Sequence, residues 1–313
     1  MTSINHPAPE PSNAPAPAAD PLAAPGSQIG PRRPLIVRIL LWSGLILIVY
    51  VGVVLVMVLC EPLLVYHPVS ARVYWNLPAD WPYEEWHLPL PDGGIAHAVR
   101  LRQPPQRSQG VILFCHGNAG NLCSFVPRYR RVAEVLAMDL VVFDYPGFGK
   151  STGRPTEQGC YAAAHATYQQ LVQSGTPAQQ IVIMGESLGG GVAVELASRV
   201  DHRALVLINT FTSLPDVAQR MYPWLPVSLV MRNRFDSLSR VGQLTRPLFV
   251  AHAEQDEIVP FALGKRLYEA AQVPREFFPM PGLTHLVPVS DEFAPALRQF
   301  LDTHAPLQAQ SGP

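Results

Sequence analysis

A chain of 313 residues, 48% of them apolar, is long enough for one large domain or two small ones and apolar enough to bury a sizeable core, which excludes a wholly disordered protein. With 23 basic against 24 acidic side chains, a net charge of −1 and no Lys/Arg run beyond two adjacent residues, it lacks the electrostatic footprint of a nucleic-acid binder. Cys60, Cys115, Cys123 and Cys160 form no C-x-x-C pair and have no histidine at zinc-finger spacing, so no metal is expected.

Residues 1–34 are rich in Pro, Ala, Asn and Ser without apolar periodicity, and read as a disordered tail because nothing in them repays the entropy of ordering. Residues 39–60 then run for 22 positions without a charge, bounded by Arg32, Arg33 and Arg38 on one side and Glu61-Pro62 on the other. A helix over 35–60 is long enough to cross the hydrocarbon core of a bilayer. A cleaved signal peptide fits less well, since the apolar core is long and no A-x-A-like site follows. Val58-Leu59 before Cys60 does not suit a lipoprotein either. The arginines lie N-terminal to the span, and the next one is Arg72, so the positive-inside rule puts the N-terminus in the cytoplasm and the rest outside. Lysine occurs only at positions 150 and 265, an arginine bias typical of GC-rich genomes, and a bacterial inner membrane with a periplasmic domain fits best.

A connector over 61–83, rich in Trp, Tyr and Pro, leads to a domain over 84–304, and residues 305–313 form a short C-terminal tail. Runs at 86–90 and 95–101 flank Pro91-Asp92-Gly93-Gly94 and predict a hairpin. Short apolar strands follow at 111–115, 140–143, 181–184, 205–208, 248–251 and 276–280. Helical segments alternate with them at 126–137, 157–173, 188–200, 260–271 and 291–303. That alternation predicts an α/β fold with a mostly parallel, doubly wound sheet, with ligands at the carboxyl ends of the strands. The excursion over 210–244 is a candidate lid, and its Met221-Tyr222-Pro223-Trp224-Leu225-Pro226 stretch either lines an acyl pocket or packs the sheet edge.

Gly185-Glu186-Ser187-Leu188-Gly189 is a G-x-S-x-G pentapeptide lying where a buried strand turns into a helix, which is the context of a nucleophile elbow. A serine hydroxyl attacks only when a base takes its proton and an acid holds that base in the right tautomer. Asp256 follows the strand at 248–251 and His285 follows the strand at 276–280, so both fall on the same end of the sheet as Ser187. Glu254 and Glu257 are nearby alternatives for the acid. Glu195, two turns into the elbow helix, reads as a helix-surface carboxylate, and His116 as a packing residue. His252 is likewise assigned to surface or structure. Gly149-Lys150-Ser151 mimics the end of a phosphate loop, but Asp144 stands where Walker A needs glycine, so nucleotide binding is rejected. No pairing is assigned to Cys123 and Cys160.

The order Ser, Asp, His, together with His116-Gly117-Asn118-Ala119-Gly120-Asn121 and Asp144-Tyr145-Pro146-Gly147-Phe148-Gly149, resembles the α/β-hydrolase superfamily, and in particular its membrane-anchored members with an H-G-N-x-G-N signature. The resemblance extends over about residues 86–303. It implies a Ser187-His285-Asp256 triad, an oxyanion hole built from the backbone amides of Leu188 and of Asn118 or its neighbour Ala119, and no cofactor. The expected activity is cleavage of an ester, thioester or amide of a small or lipid substrate through an acyl-enzyme. A peptidase of the prolyl-oligopeptidase type and a catalytically silent membrane-anchored scaffold are the alternatives.

Overall fold

The computed structural model describes residues 34–104, 106–286 and 289–307. The tail expected over 1–34 lies outside the described residues except for Pro34, and so does most of the C-terminal tail. The chain divides into two compact units, Met1–Gly52 and Val53–Pro313, with the boundary inside the first helix. That helix, α1 (Leu35–Leu59), contains an 18-residue window with a mean hydropathy of 2.8 and no buried residue. At about 1.5 Å per residue it is long enough for a hydrocarbon core of about 30 Å, and by length and composition it can cross a membrane.

Within the second unit, the last turns of α1 are followed by α2 (Glu61–Val65), whose Pro62 occupies a first-turn position where its missing N–H costs nothing. Then come β1 (Tyr83–Pro89), β2 (Ile95–Leu101), β3 (Val111–Cys115), α3 (Leu122–Leu136), β4 (Asp139–Phe143), α4 (Glu157–Gln173), β5 (Ile181–Glu186), α5 (Leu188–Ala197) and β6 (Ala204–Ile208). The candidate lid region folds as α6 (Leu214–Met221), α7 (Val227–Val230) and α8 (Leu238–Val241), and β7 (Leu248–Ala253), α9 (Phe261–Ala270), β8 (Arg275–Met280) and α10 (Phe293–His304) follow.

The strands form one eight-stranded sheet in the order β1-β2-β4-β3-β5-β6-β7-β8. The pairs β1/β2 and β2/β4 are antiparallel and the remaining neighbours are parallel. Successive residues of β3 serve opposite faces: Val111, Leu113 and Cys115 belong to the core cluster that includes residues of α4 and α5, whereas Ile112 and Phe114 belong to the cluster that includes residues of α3 and α10. A strand buried on both faces has no polar side to alternate with, which is why it reads as a continuous apolar run.

Two elements start three or more residues earlier than the sequence expectation, and the other starts shift by at most two. Helix α3 begins at Leu122 because the Asn121 side chain caps the Cys123 N–H at 3.0 Å and Asp144 accepts the Leu122 N–H at 2.7 Å. Strand β1 begins at Tyr83, within the stretch expected to be connector, because it pairs in continuous register with β2 from Tyr83 opposite Leu101.

Helix α5 packs almost backbone to backbone on β3, and this requires glycine at its first turn. A methyl group on Gly189 would overlap the carbonyl oxygens of Cys115 and His116. Gly189→Ala is therefore expected to cost about 2–4 kcal/mol and to lower the melting temperature by roughly 4–16 °C. An unchanged melting curve would contradict this packing.

Candidate active site

Ser187 sits between β5 and α5 with φ 52° and ψ −119°. This is the left-handed region that side chains avoid, and holding a serine there costs on the order of 1–3 kcal/mol. The glycines two residues to either side permit it, since a side chain at Gly185 would collide with the Gly189 backbone and with Ala193. The turn is pinned from behind by the Ser187 N–H donating to the Ile208 carbonyl at 2.9 Å and by the Thr210 hydroxyl donating to the Ser187 carbonyl at 2.8 Å. The elbow thus lifts the hydroxyl above the end of the sheet, at the start of α5, where the helix dipole favours negative charge.

His285 reaches it from the loop after β8. Its Nε2 accepts from the Ser187 hydroxyl at 3.0 Å, and its Nδ1–H donates to Asp256 Oδ2 at 2.7 Å. Asp256 lies in the loop after β7, where its Oδ1 accepts the N–H groups of Ile258 at 2.9 Å and Val259 at 2.7 Å. Its side chain is fully buried and His285 is almost so. Glu257 touches His285 only at the backbone, accepting its N–H at 3.2 Å, and Glu254 is exposed. Ser187, Asp256 and His285 are therefore brought together, and the two alternative acids do not reach the imidazole.

Burial alone would raise the Asp256 pKa, but the hydrogen-bonding imidazoles of His252 and His285, the His285 charge and the Val259 N–H outweigh it and bring it down to about 2. The unfolded value is higher, near 3.9, so the ionised group favours the folded state. That contribution, about 2–3 kcal/mol, is fully present above roughly pH 4 and disappears as the pH falls through about 2. The stability gap between wild type and Asp256→Asn in denaturant unfolding is expected to narrow from about pH 6 to about pH 2.5. A gap independent of pH would contradict the assignment of this charge.

Opposite the hydroxyl runs the loop Gly117–Gly120. A side chain at Gly117 would come within 3.5 Å of the Ser187 Cβ, so this backbone passes directly beside Ser187. Asn118 and Leu188, whose amides are the candidate oxyanion donors, both line the same cavity as Ser187 and His285. The cavity has a volume of about 650 Å³ and is walled mainly by apolar side chains. Leu214, Val217, Met221, Leu225 and Met231 come from the lid region, while Val54, Met57 and Val58 come from the last turns of α1. Those last three residues are spaced i, i+3, i+4 and half-buried, so one face of the helix end is committed to this wall.

One residue departs from its expected role. Glu195 is not on the helix surface: it is 2% exposed, bonded to His165 at 3.1 Å and paired with Arg199, because its face of α5 packs against α4. His252 is buried beneath the acid, its Nε2 donating to the Val259 carbonyl at 3.0 Å and lying 3.5 Å from Asp256 Oδ2. His116 is structural as expected, donating from Nδ1 to the Gly117 carbonyl at 2.7 Å and stacking on Phe125. Glu186, next to Ser187, accepts from the Tyr129 hydroxyl at 2.7 Å and from Arg128 at 3.0 Å, which ties the elbow to α3. No sequence signal marked that network, since its partners stand 57 and 58 residues away.

Ligand atoms of Glu85, His87 and His97 gather within 4.8 Å on β1 and β2. Glu85 is already engaged there by His97 Nε2 at 2.7 Å and by the Lys150 ammonium at 2.8 Å, so a cation is in place without a metal. Cys123 and Cys160 are both buried free thiols.

A predominantly parallel sheet covered on both faces, with a strained serine between β5 and α5 and an acid and a histidine after β7 and β8, defines the α/β-hydrolase class of fold. A family model described as the alpha/beta hydrolase fold matches residues 110–236. The chain belongs to the α/β-hydrolase superfamily. It is 36% identical over 201 residues to an uncharacterised protein of Mycobacterium tuberculosis, a match spanning 64% of this chain and 66% of that one. It is also 37% identical over 186 residues to the lysophosphatidylserine lipase ABHD12 of Danio rerio, spanning 53% of this chain and 48% of the lipase. The chain thus matches about half to two thirds of the length of these relatives. Among solved structures, the Pyrococcus furiosus esterase Pf2001 superposes with a TM-score of 0.61 over 76% of this chain and 97% of the esterase, at 16% identity, which is a likeness of fold.

Proposed function

We propose that this protein is a membrane-anchored serine hydrolase that cleaves an acyl ester, thioester or amide through an acyl-enzyme, with Ser187, His285 and Asp256 as its triad. The observation that carries this reading is the unbroken chain of hydrogen bonds from the Ser187 hydroxyl through His285 to Asp256, opening into an apolar cavity. Ser187 Oγ attacks the acyl carbon while its proton passes to His285 Nε2, and Asp256 stabilises the imidazolium that forms. The backbone amides of Leu188 and Asn118 receive the oxyanion. His285 then protonates the leaving group, and water repeats the sequence to release the acid.

A cavity of about 650 Å³ with mainly apolar walls suits an acyl chain better than a peptide, and the lipase activity named for the zebrafish relative points the same way. Helix α1 is the anchor in this reading. The arginines before it favour a cytoplasmic N-terminus and a hydrolase domain on the far side of a bacterial inner membrane.

The test is a substrate profile of the full-length protein in detergent micelles, using p-nitrophenyl esters of increasing chain length, acyl thioesters, lysophospholipids and chromogenic peptides. Turnover of acyl substrates with kcat/KM rising with chain length is expected. Cleavage of the peptides alone would move the reading to the peptidase branch of the fold.

A further inference from the structure

The segment that joins α1 to the hydrolase domain makes polar contacts that a tether has no need of. Glu61, the first residue of α2, is 4% exposed. Its Oε1 accepts the Arg232 N–H at 3.0 Å, the Asn233 N–H at 2.8 Å and the Asn233 side-chain amide at 3.0 Å, while Oε2 shares the Arg232 N–H at 3.0 Å. Asn233 in turn accepts from the Tyr66 hydroxyl at 2.7 Å and from the Glu157 N–H at 3.1 Å. A carboxylate withdrawn from water is tolerated only where such donors replace its hydration. Here they fix the lid region at Arg232 and Asn233, next to the cavity-lining Met231.

A few residues further on, the same segment grips the oxyanion loop. The Asn118 side chain accepts the His67 N–H at 3.1 Å and donates to the Val65 carbonyl at 2.6 Å and to His67 Nδ1 at 2.9 Å. The Val69 N–H donates to the Gly120 carbonyl at 2.9 Å, and the Asn121 side chain returns a bond to the Val69 carbonyl at 3.1 Å. Within this loop Ala119 holds a φ of 71°, a conformation that a residue with a side chain seldom adopts, and the strap's bonds to Asn118 and Gly120 on either side hold it there. Its Asn118 carboxamide is thereby spent on the joining segment and faces away from any role as a free donor, leaving the backbone N–H for chemistry.

We infer that the strap over 61–71 is a positioning element of the active site, in which the Asn118 side chain sets the oxyanion loop and Glu61 sets the lid. The inference rests on the serine-hydrolase reading given above. In this arrangement catalysis depends on the short chain segment that emerges from the anchor helix, so the anchor's exit is part of the enzyme as well as its attachment. The Asn118 side chain and Glu61 act through the loop and the lid, as positioning groups, while the Asn118 backbone N–H keeps its place in the oxyanion hole.

The experiment compares full-length wild type, Asn118→Ala, Glu61→Ala and Glu61→Gln in detergent micelles on p-nitrophenyl butyrate and palmitate, with fluorophosphonate labelling as a second readout. Asn118→Ala keeps the backbone N–H but loses the three strap bonds, so kcat is expected to fall about 10- to 100-fold on both esters with KM within about two-fold, and labelling to slow in parallel. Glu61→Ala frees the lid, and KM is expected to rise about ten-fold on palmitate and by a smaller factor on butyrate. Glu61→Gln is expected to restore most of both, because an amide oxygen can take the place of Oε1 with its three donors, and the amide nitrogen in the place of Oε2 gives up only the shared bond from the Arg232 N–H. Wild-type kcat in Asn118→Ala, or a Gln variant as impaired as the Ala variant, would overturn the strap's role. Should Glu61→Ala fail to fold, the half-buried Asn118 still decides the question. A wild type that neither turns over an ester nor labels would instead overturn the hydrolase reading on which the inference stands.

Discussion

Replacing Ser187 by alanine is expected to lower kcat on every acyl substrate by about 10⁴- to 10⁶-fold with little change in KM. The variant loses the hydroxyl that His285 Nε2 faces at 3.0 Å, while the elbow's backbone supports from Ile208 and Thr210 are untouched. Folding is therefore preserved and the site keeps its cavity and its oxyanion donors. The residual rate, roughly 10³- to 10⁴-fold above water, measures what binding and the oxyanion hole contribute without a nucleophile. Steady-state kinetics alongside a melting curve check both halves of the expectation. Retention of more than about a hundredth of wild-type kcat would remove Ser187 from its assigned role.

The second large effect belongs to Asp256→Asn, expected to cost about 10⁴-fold in kcat. An asparagine can keep its Oδ1 toward the Ile258 and Val259 N–H groups, so the loop after β7 stays in place. Its amide nitrogen then faces His285 Nδ1 where Oδ2 stood at 2.7 Å. An N–H pointing at Nδ1 demands a lone pair there, which moves the imidazole proton to Nε2 and aims it at Ser187. The base is then the wrong tautomer and cannot accept the serine proton. A partial recovery of rate at alkaline pH, read in the kcat profile, would accompany such a tautomer block, whereas a loss below about ten-fold would assign the acid elsewhere.

How much of this was readable beforehand follows from the range of each interaction. Strands β3 and β5 are buried on both faces, so their apolar runs announced them locally, and the turn chemistry of Gly185 to Gly189 marked the elbow between strand and helix. The positions of Asp256 and His285 just after β7 and β8 followed once those strands were recognised. The strap was not legible, because its meaning lies in pairs such as Glu61 with Asn233, 172 residues apart, and Asn118 with His67, 51 apart. Helices α2, α7 and α8 have four or five residues, too few to register a 3.6-residue period. Glu195 misled for a related reason: a carboxylate inside an apolar helix looks solvent-facing until α4 supplies His165 to meet it.

The central claim is that Ser187 is the nucleophile of a working triad. It is tested most directly by treating membranes that carry the full-length protein with a fluorophosphonate probe and mapping the modified peptide by mass spectrometry. The account predicts one covalent adduct, on Ser187, formed by wild type and absent from Ser187→Ala. Equal labelling of the two proteins, or an adduct on another residue, would contradict it.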